Sequence, residues 1–312
     1  MPLALAEHLW LNSRSMTDKY SRETDQKRIV QAFESLTSQE DSKIDLAQAA
    51  LLIASIEYSD LNQTQSLTHL DELARRVRTL LALPGPDLSL QLPEDIKPLV
   101  VINALNKVLF EDEEFHGNQD DYYNPDNSFL NKVLELHTGI PITLSLLYIE
   151  VGKRVGIQID GIGFPYHFMV RHQWDQSVVY IDPFAGGTLL TEQECEEHLR
   201  KIARHRIRLH PQWFEPITHR HMLIRMLNNL KHIYMDKEDY EHALAICDLI
   251  ILLLPHTATE RRDRGLMHLQ LKHYGRALHD LKTYLELAPK AEDRYEIRTH
   301  LKTIRETLAM LN

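Results

Sequence analysis

A chain of 312 residues, 43% hydrophobic and 26% charged, has material for one large or two ordinary soluble domains with an ample core. Its formal charge of −10 argues against a dedicated nucleic-acid binder, which needs a basic face for phosphates. The longest apolar run, Leu249 to Leu254, is much too short to cross a bilayer, so no membrane association is expected. Cys195 and Cys247 lie far apart, offer no disulfide framework and fit a reducing cytoplasm. Met1-Pro2-Leu3-Ala4-Leu5-Ala6 runs straight into Glu7 and His8 without a basic start or a useful apolar length. A secretory signal is therefore not expected, and the predicted location is cytoplasmic.

Residues 1–22 lack periodicity and read as a loose extension. Asp25 to Leu36 places Ile29, Val30, Phe33 and Leu36 on one side of a helix, and Thr37 to Ser42 is a polar break. Asp45 caps a predicted helix carrying Leu46, Ala49, Ala50 and Ile53. A second amphipathic helix spans Leu67 to Leu81. A Pro-punctuated loop from Pro84 to Pro93 leads to a third near Ile96 to Phe110. The acidic stretch Glu111 to Asn127 invites a calcium reading, but no register supplies both the Gly at position six and the Glu at position twelve of an EF-hand loop. It reads as a loop ending in a cap before Phe129-Leu130.

The stretch Thr138 to Pro183 organises the rest. Pro141 suits a first helical turn, where its missing N–H costs nothing. Leu144, Leu147, Tyr148 and Val151 repeat at helical spacing, Gly152 is a tolerated weak spot, and Gly156 stops the helix after Lys153 and Arg154. Gln158 to Ile162, Tyr166 to Arg171 and Ser177 to Asp182 read as antiparallel strands, with a polar turn over Gln173 to Gln176. Thr191 caps a further helix, with Gln193-Glu194 in its first turn, ending near His205. Its basic run, Arg200-Lys201 with Arg204, Arg206 and Arg208, lacks interleaved aromatics and reads as a solvated face. His198, His205, His210, His219 and His221 do not give the helical i, i+4 pairing of a zinc site, so no metal is assigned and no cofactor is expected. Tyr240, Ala243, Leu244 and Pro255 recur 34 residues on as Tyr274, Ala277, Leu278 and Pro289, the tetratricopeptide period. Two units and a terminal helix, Glu292 to Leu311, are too few to stand alone and must dock on the preceding domain or on a partner.

These residues carry a resemblance. A helix opened after Gly139, a strand bearing His167 and a strand ending in Asp182-Pro183 are similar to the transglutaminase-like core related to papain. Asn127 to Leu147 (with Asn131, Gly139, Ile140, Pro141, Leu144 and Ser145), Pro165-x-His167-Phe168 and Asp182-Pro183-Phe184-x-Gly186-Gly187 resemble its SirB-type branch more closely, a branch that usually carries a tetratricopeptide-like tail. The resemblance implies an α+β fold: a helical N-terminal half, the core helix with its antiparallel sheet, and C-terminal helical repeats. It divides the chain into an extension (1–42), a transglutaminase-like domain (43–217) and a repeat region (218–312). It puts His167 and Asp182 at the family's catalytic His and Asp positions and Pro141 where its nucleophilic Cys is expected. Members of the branch also tend to show Pro there, and the family has no well-defined activity. Pro141, Ser145, Asn131 and Tyr166 are the expected binding residues around the cleft. Tyr166 replaces the small residue, typically Gly, that usually precedes the His, and is expected to plug the ancestral substrate channel.

A buried Asp–His pair orients an imidazole base, but a base needs something to activate. Proline offers no nucleophile, Thr143 points away from the Pro141 position, and Ser145 lies a turn inside the helix. Two readings stay open. One is a non-catalytic scaffold that binds a protein or peptide in the cleft, with the repeat tail as a second surface. The other is a hydrolase or amide-transfer enzyme that uses His167 and Asp182 without cysteine, for instance on a water with Asn131 polarising a carbonyl. Neither sets the oligomeric state.

Overall fold

The computed structural model describes residues 24–83, 88, 91–203 and 210–311. The expected loose stretch over residues 1–22, Pro84 with part of its loop, and Arg204, His205, Arg206 and Arg208 lie outside them. Helix α1 (residues 24–37) opens the described chain, and Phe33 on it is fully buried in the main core. Helix α2 (Leu46–Ala54) is capped by Asp45, whose side chain accepts from the Gln48 N–H at 2.9 Å. Helices α3 (Gln63–Leu80) and α4 (Pro98–Asn106) follow, and α4 runs into a π-helical turn, Lys107–Asp112. Strand β1 (His116–Gly117), α5 (Leu130–Leu136) and β2 (Thr138–Gly139) lead into α6 (Pro141–Val155). β1 and β2 form a two-residue parallel ladder in which Gly117 faces Gly139.

Helix α6 is the centre of the molecule. Every residue in it except Lys153 and Arg154 is buried, as a helix with apolar side chains on all sides must be. It packs against α2, α3, α4, α5 and the sheet. Pro141 occupies its first turn and Gly156, at φ 105°, ends it in the left-handed conformation. The buried Arg78 guanidinium donates to the Val155 carbonyl at 3.1 Å, satisfying one of the acceptors a helix end leaves open. At Gly152 a Cβ would stand 2.7 Å from the tip of the Ile159 side chain, which would have to shift to admit it.

The sheet is an antiparallel meander of β3 (Asp160–Ile162), β4 (Met169–Trp174), β5 (Ser177–Asp182) and β6 (Thr188–Leu190). Phe168, Val170 and Ile181 join the core shared with α6, while Ile162, Met169 and Tyr180 pack with Cys195 and Leu199 of α7 (Glu192–Ala203). The expected strand over Tyr166 to Arg171 begins only at Met169, because Pro165-Tyr166 forms a turn, and it extends to Trp174. The turn expected over Gln173 to Gln176 is tighter: Trp174 pairs with Ser177, leaving Asp175-Gln176 as a two-residue hairpin loop with Asp175 at positive φ. β6 is an additional strand, short and bounded by Gly186-Gly187 and the Thr191 cap, and too brief for periodicity to reveal.

Five helices close the chain: α8 (His219–Asp236), α9 (Tyr240–Leu253), α10 (Ala258–Gln270), α11 (Tyr274–Leu287) and α12 (Arg294–Leu311). Tyr240 and Tyr274 open α9 and α11, and Ala243 and Ala277 are fully buried where the helices touch. α8 packs on α2 and α6, and Met222, Leu223, Met226 and Leu227 enter the same core as α1 and α6. Tyr234 donates to Glu57 at 2.6 Å across this contact, and Asp41 accepts from the His219 and Arg220 N–H groups. Among the described residues no helix is long and apolar enough to cross a membrane. Because Phe33 ties α1 to this shared core, Phe33→Ala is expected to lower unfolding free energy by about 3–5 kcal/mol. Urea denaturation followed by circular dichroism measures it, and a loss below about 1 kcal/mol would mean α1 is not part of the cooperative core.

Candidate functional site

The site is assembled at the end of β5. Asp182 is 1% exposed, and its Oδ1 accepts from the N–H groups of Phe184 (3.0 Å) and Ala185 (3.3 Å), closing the turn Pro183–Ala185. Pro183, between Asp182 and Phe184, needs no acceptor because it has no N–H. The Asp182 carbonyl accepts from Gly187 at 2.9 Å. A side chain at Gly187 would collide with Asn106, whose amide donates to the Gly187 carbonyl at 2.7 Å and whose Oδ1 accepts from Tyr148 of α6 at 2.9 Å. The Asp-Pro-Phe-x-Gly-Gly sequence is therefore one device that fixes a carboxylate and leaves its Oδ2 to other partners.

Oδ2 meets His167 Nε2 at 2.8 Å, with both side chains buried. An ionised carboxylate accepts here, so in the neutral imidazole Nε2 carries the proton and Nδ1 is the acceptor nitrogen. Alternation puts Met169, Arg171, Tyr180 and Asp182 on the α7 side of the sheet, and α7 supplies the third member. His198 Nε2 lies 3.6 Å from the same Oδ2, its ring centroid 5.4 Å from that of His167. Burial, then the neighbouring His167, lowers the His198 pKa.

Tyr166 precedes His167 at φ 64°, the left-handed region in which a side chain costs about 1–2 kcal/mol. The backbone thus keeps the shape a glycine would take, although this chain has a tyrosine. The side chain is 69% exposed and so fills no buried channel, contrary to the plug expected from sequence. Phe184 is the ring that closes on the pair. It stands edge-on to His167 at 6.1 Å, contacts Tyr122 at 6.3 Å, and lies where a Cβ on Gly117 would be 2.4 Å away. Gly117 faces Gly139, two residues before the buried Pro141. Thr143 Oγ1 donates to the Asn127 carbonyl at 2.6 Å and accepts from the Ile140 N–H. Ser145 is fully buried, and neither its Oγ nor the buried Asn131 Oδ1 has a hydrogen-bond partner among the described residues. Of the four expected binding residues, Tyr166 alone is exposed.

Two further residues define the site. Arg225, on α8, donates to the carbonyls of Phe164 and His167, both at 2.9 Å, with its guanidinium 5.2 Å from the Phe168 ring centroid. A side chain on Gly163 would come within 2.8 Å of it. In the sequence His198 is one of several histidines in and after a helix, and no motif singles out Arg225. Their roles arise from packing of α7 and α8 against the sheet, which local spacing does not encode. The acidic loop before α5 folds on itself: Asn127 donates to the carbonyls of Asp121 and Tyr122 and accepts from Asn118.

The comparisons agree with this architecture. The family described as the transglutaminase-like superfamily matches residues 64–228, and a tetratricopeptide repeat matches residues 230–302. A UPF0162 protein of Xylella fastidiosa (strain Temecula1 / ATCC 700964) is 36% identical over 276 residues, 88% of this chain and 94% of its own length. A UPF0162 protein of Vibrio cholerae is 26% identical over 202 residues, covering 64% of this chain and 74% of its own. F-box only protein 21 of Mus musculus is 41% identical over 106 residues, 31% of this chain but 17% of that one. No solved structure matches. With the core helix, the meander and the repeat tail in place, the chain belongs to the transglutaminase-like superfamily and, within it, to the UPF0162 proteins.

Proposed function

We propose that the protein is a non-catalytic transglutaminase-like scaffold that binds a protein or peptide partner beside His167 and Asp182, in the cytoplasm, with the repeat tail as a second contact surface. The observation that carries this reading is the start of α6. Pro141 holds the first position of the helix, where the resemblance expects a nucleophile, while the His167–Asp182 pair is intact, Thr143 is hydrogen-bonded to backbone, and Ser145 is sealed in the core. Both thiols point the same way. Cys195 and Cys247 are fully buried; burial, reinforced by Asp182, pushes the Cys195 pKa up to about 12, and burial raises Cys247 as well. Exposed aromatics rim the pair instead: Tyr166, and Tyr123 at 74% exposure, which contacts Tyr122 and through it Phe184. Aromatic side chains of this kind anchor protein interfaces. Tetratricopeptide repeats are generally protein-binding modules, and Arg225 ties the first tail helix to the His167 segment.

Since α8 shares the main core, point substitutions test this better than truncation. The double variant Cys195→Ala, Cys247→Ser is expected to retain partner capture at the parent level. Tyr166→Ala and His167→Ala are each expected to reduce it at least tenfold, measured by quantitative mass spectrometry on immobilised protein. Hydrolysis of acyl or peptide substrates that survives the cysteine changes but disappears in His167→Ala would replace this reading with a cysteine-independent enzyme. Arg225→Ala should open the His167 segment. Backbone amides of residues 163–168 are expected to exchange at least tenfold faster in hydrogen-exchange mass spectrometry, with α3 and α6 unchanged. Unaltered exchange there would disconnect the tail from the site.

A further inference from the structure

We propose that His167, Asp182 and His198 form a binding site for one divalent transition-metal ion of the zinc type. These three residues, from the segment before β4, the end of β5 and the middle of α7, bring one ligand atom each to within 4.8 Å of the other two. Two imidazoles and a carboxylate are an ordinary zinc donor set. Bonds of about 2.0–2.2 Å in a tetrahedral site hold neighbouring ligand atoms roughly 3.4 Å apart. The distances from Asp182 Oδ2, 2.8 Å to His167 and 3.6 Å to His198, lie on either side of that separation. Inserting the ion thus requires His167 to draw back slightly from Asp182 and the two imidazoles to converge on it, from ligand atoms already within 4.8 Å of one another.

The surroundings favour the ion over a bare hydrogen-bonded triad. The Asp182 Oδ1 is already held by the Phe184 and Ala185 N–H groups, which is the outer-shell support that aims the other oxygen at a metal. When His167 ligates through Nε2, its proton passes to Nδ1 and the imidazole stays neutral, so the carboxylate and two imidazoles carry a single negative charge, which a dication more than compensates. The His198 side chain is 38% exposed, giving the ion a route from solvent to a pair that is otherwise buried. Cys195, one turn earlier on α7, is directed into the apolar cluster with its sulfur 4.0 Å from that of Met169, and belongs to the core rather than to the ligand set. Three protein ligands leave a fourth position of a tetrahedral ion for an oxygen from solvent or a bound partner.

This inference goes beyond the scaffold reading and does not depend on partner binding, so it is tested with the metal alone. Full-length protein is stripped with a chelator, dialysed, and titrated with Zn2+ by calorimetry and with Co2+ by visible absorption. The expected result is one ion per chain, a Co2+ spectrum of low coordination number, and a rise in Tm on adding Zn2+. His198→Gln and His167→Gln are expected to weaken binding at least tenfold and abolish the Tm rise, whereas Cys195→Ala binds as the parent does. The half-exposed position of His198 keeps its variant folded, which circular dichroism checks. Absence of a stoichiometric site in the parent overturns the proposal. So does undiminished binding in His198→Gln, which would place the ion elsewhere among the 18 histidines, or loss of binding in Cys195→Ala.

Discussion

The structure depends on burying α6 on every side. A helix with apolar groups around its whole circumference cannot lie on a surface, so it has to be enclosed by α2, α3, α4, α5, the sheet and α8. This enclosure explains why the repeat tail begins as part of the same core: α8 is one wall of the compartment around α6. It also explains the polar groups at the ends of α6. Arg78 on α3 donates to the Val155 carbonyl at its C-terminus, and Thr143 ties its first turn to the Asn127 loop, because buried backbone and hydroxyl groups cannot turn to water.

Asp182 transmits that rigidity to the surface. The turn after it is pinned through Gly187 and Asn106 to Tyr148 on α6, so the carboxylate stands on the most buried part of the molecule. One oxygen maintains the turn and the other faces two imidazoles. A group fixed in this way presents a constant geometry to whatever binds, with little reorganisation on binding. His167 is held from the opposite direction, by the Arg225 guanidinium on its own carbonyl. The segment bearing the exposed Tyr166 at positive φ is thus hydrogen-bonded to the first helix of the tail.

The chemistry left at the site follows from what surrounds the pair. A His–Asp couple can hold a proton, a hydrogen-bonding ligand or a metal, and all three use the same two side chains. The arrival of His198 from α7 enlarges those options and takes none away. Phe184, Tyr122 and Tyr123 form a run of neighbouring rings that reaches from His167 to the exposed Tyr123.

Much of this was legible in the residues themselves, for reasons that are local. Pro141 and Gly156 mark the ends of α6 because one residue lacks an N–H and the other tolerates positive φ. Asp45 marks the start of α2 through a three-residue hydrogen bond, and the 34-residue recurrence of Tyr, Ala, Leu and Pro sets out α9 and α11 because each unit repeats the same helix contact. His167 and Asp182 could be singled out by order after the core helix and by resemblance. Tertiary packing decided the rest. It turned Tyr166 outward, placed Phe184 against Gly117, brought His198 to Asp182, and set Arg225 on the His167 carbonyl. Each of these joins residues on different elements, and the chain's local periodicity specifies which face of an element is apolar but not which neighbour that face will meet.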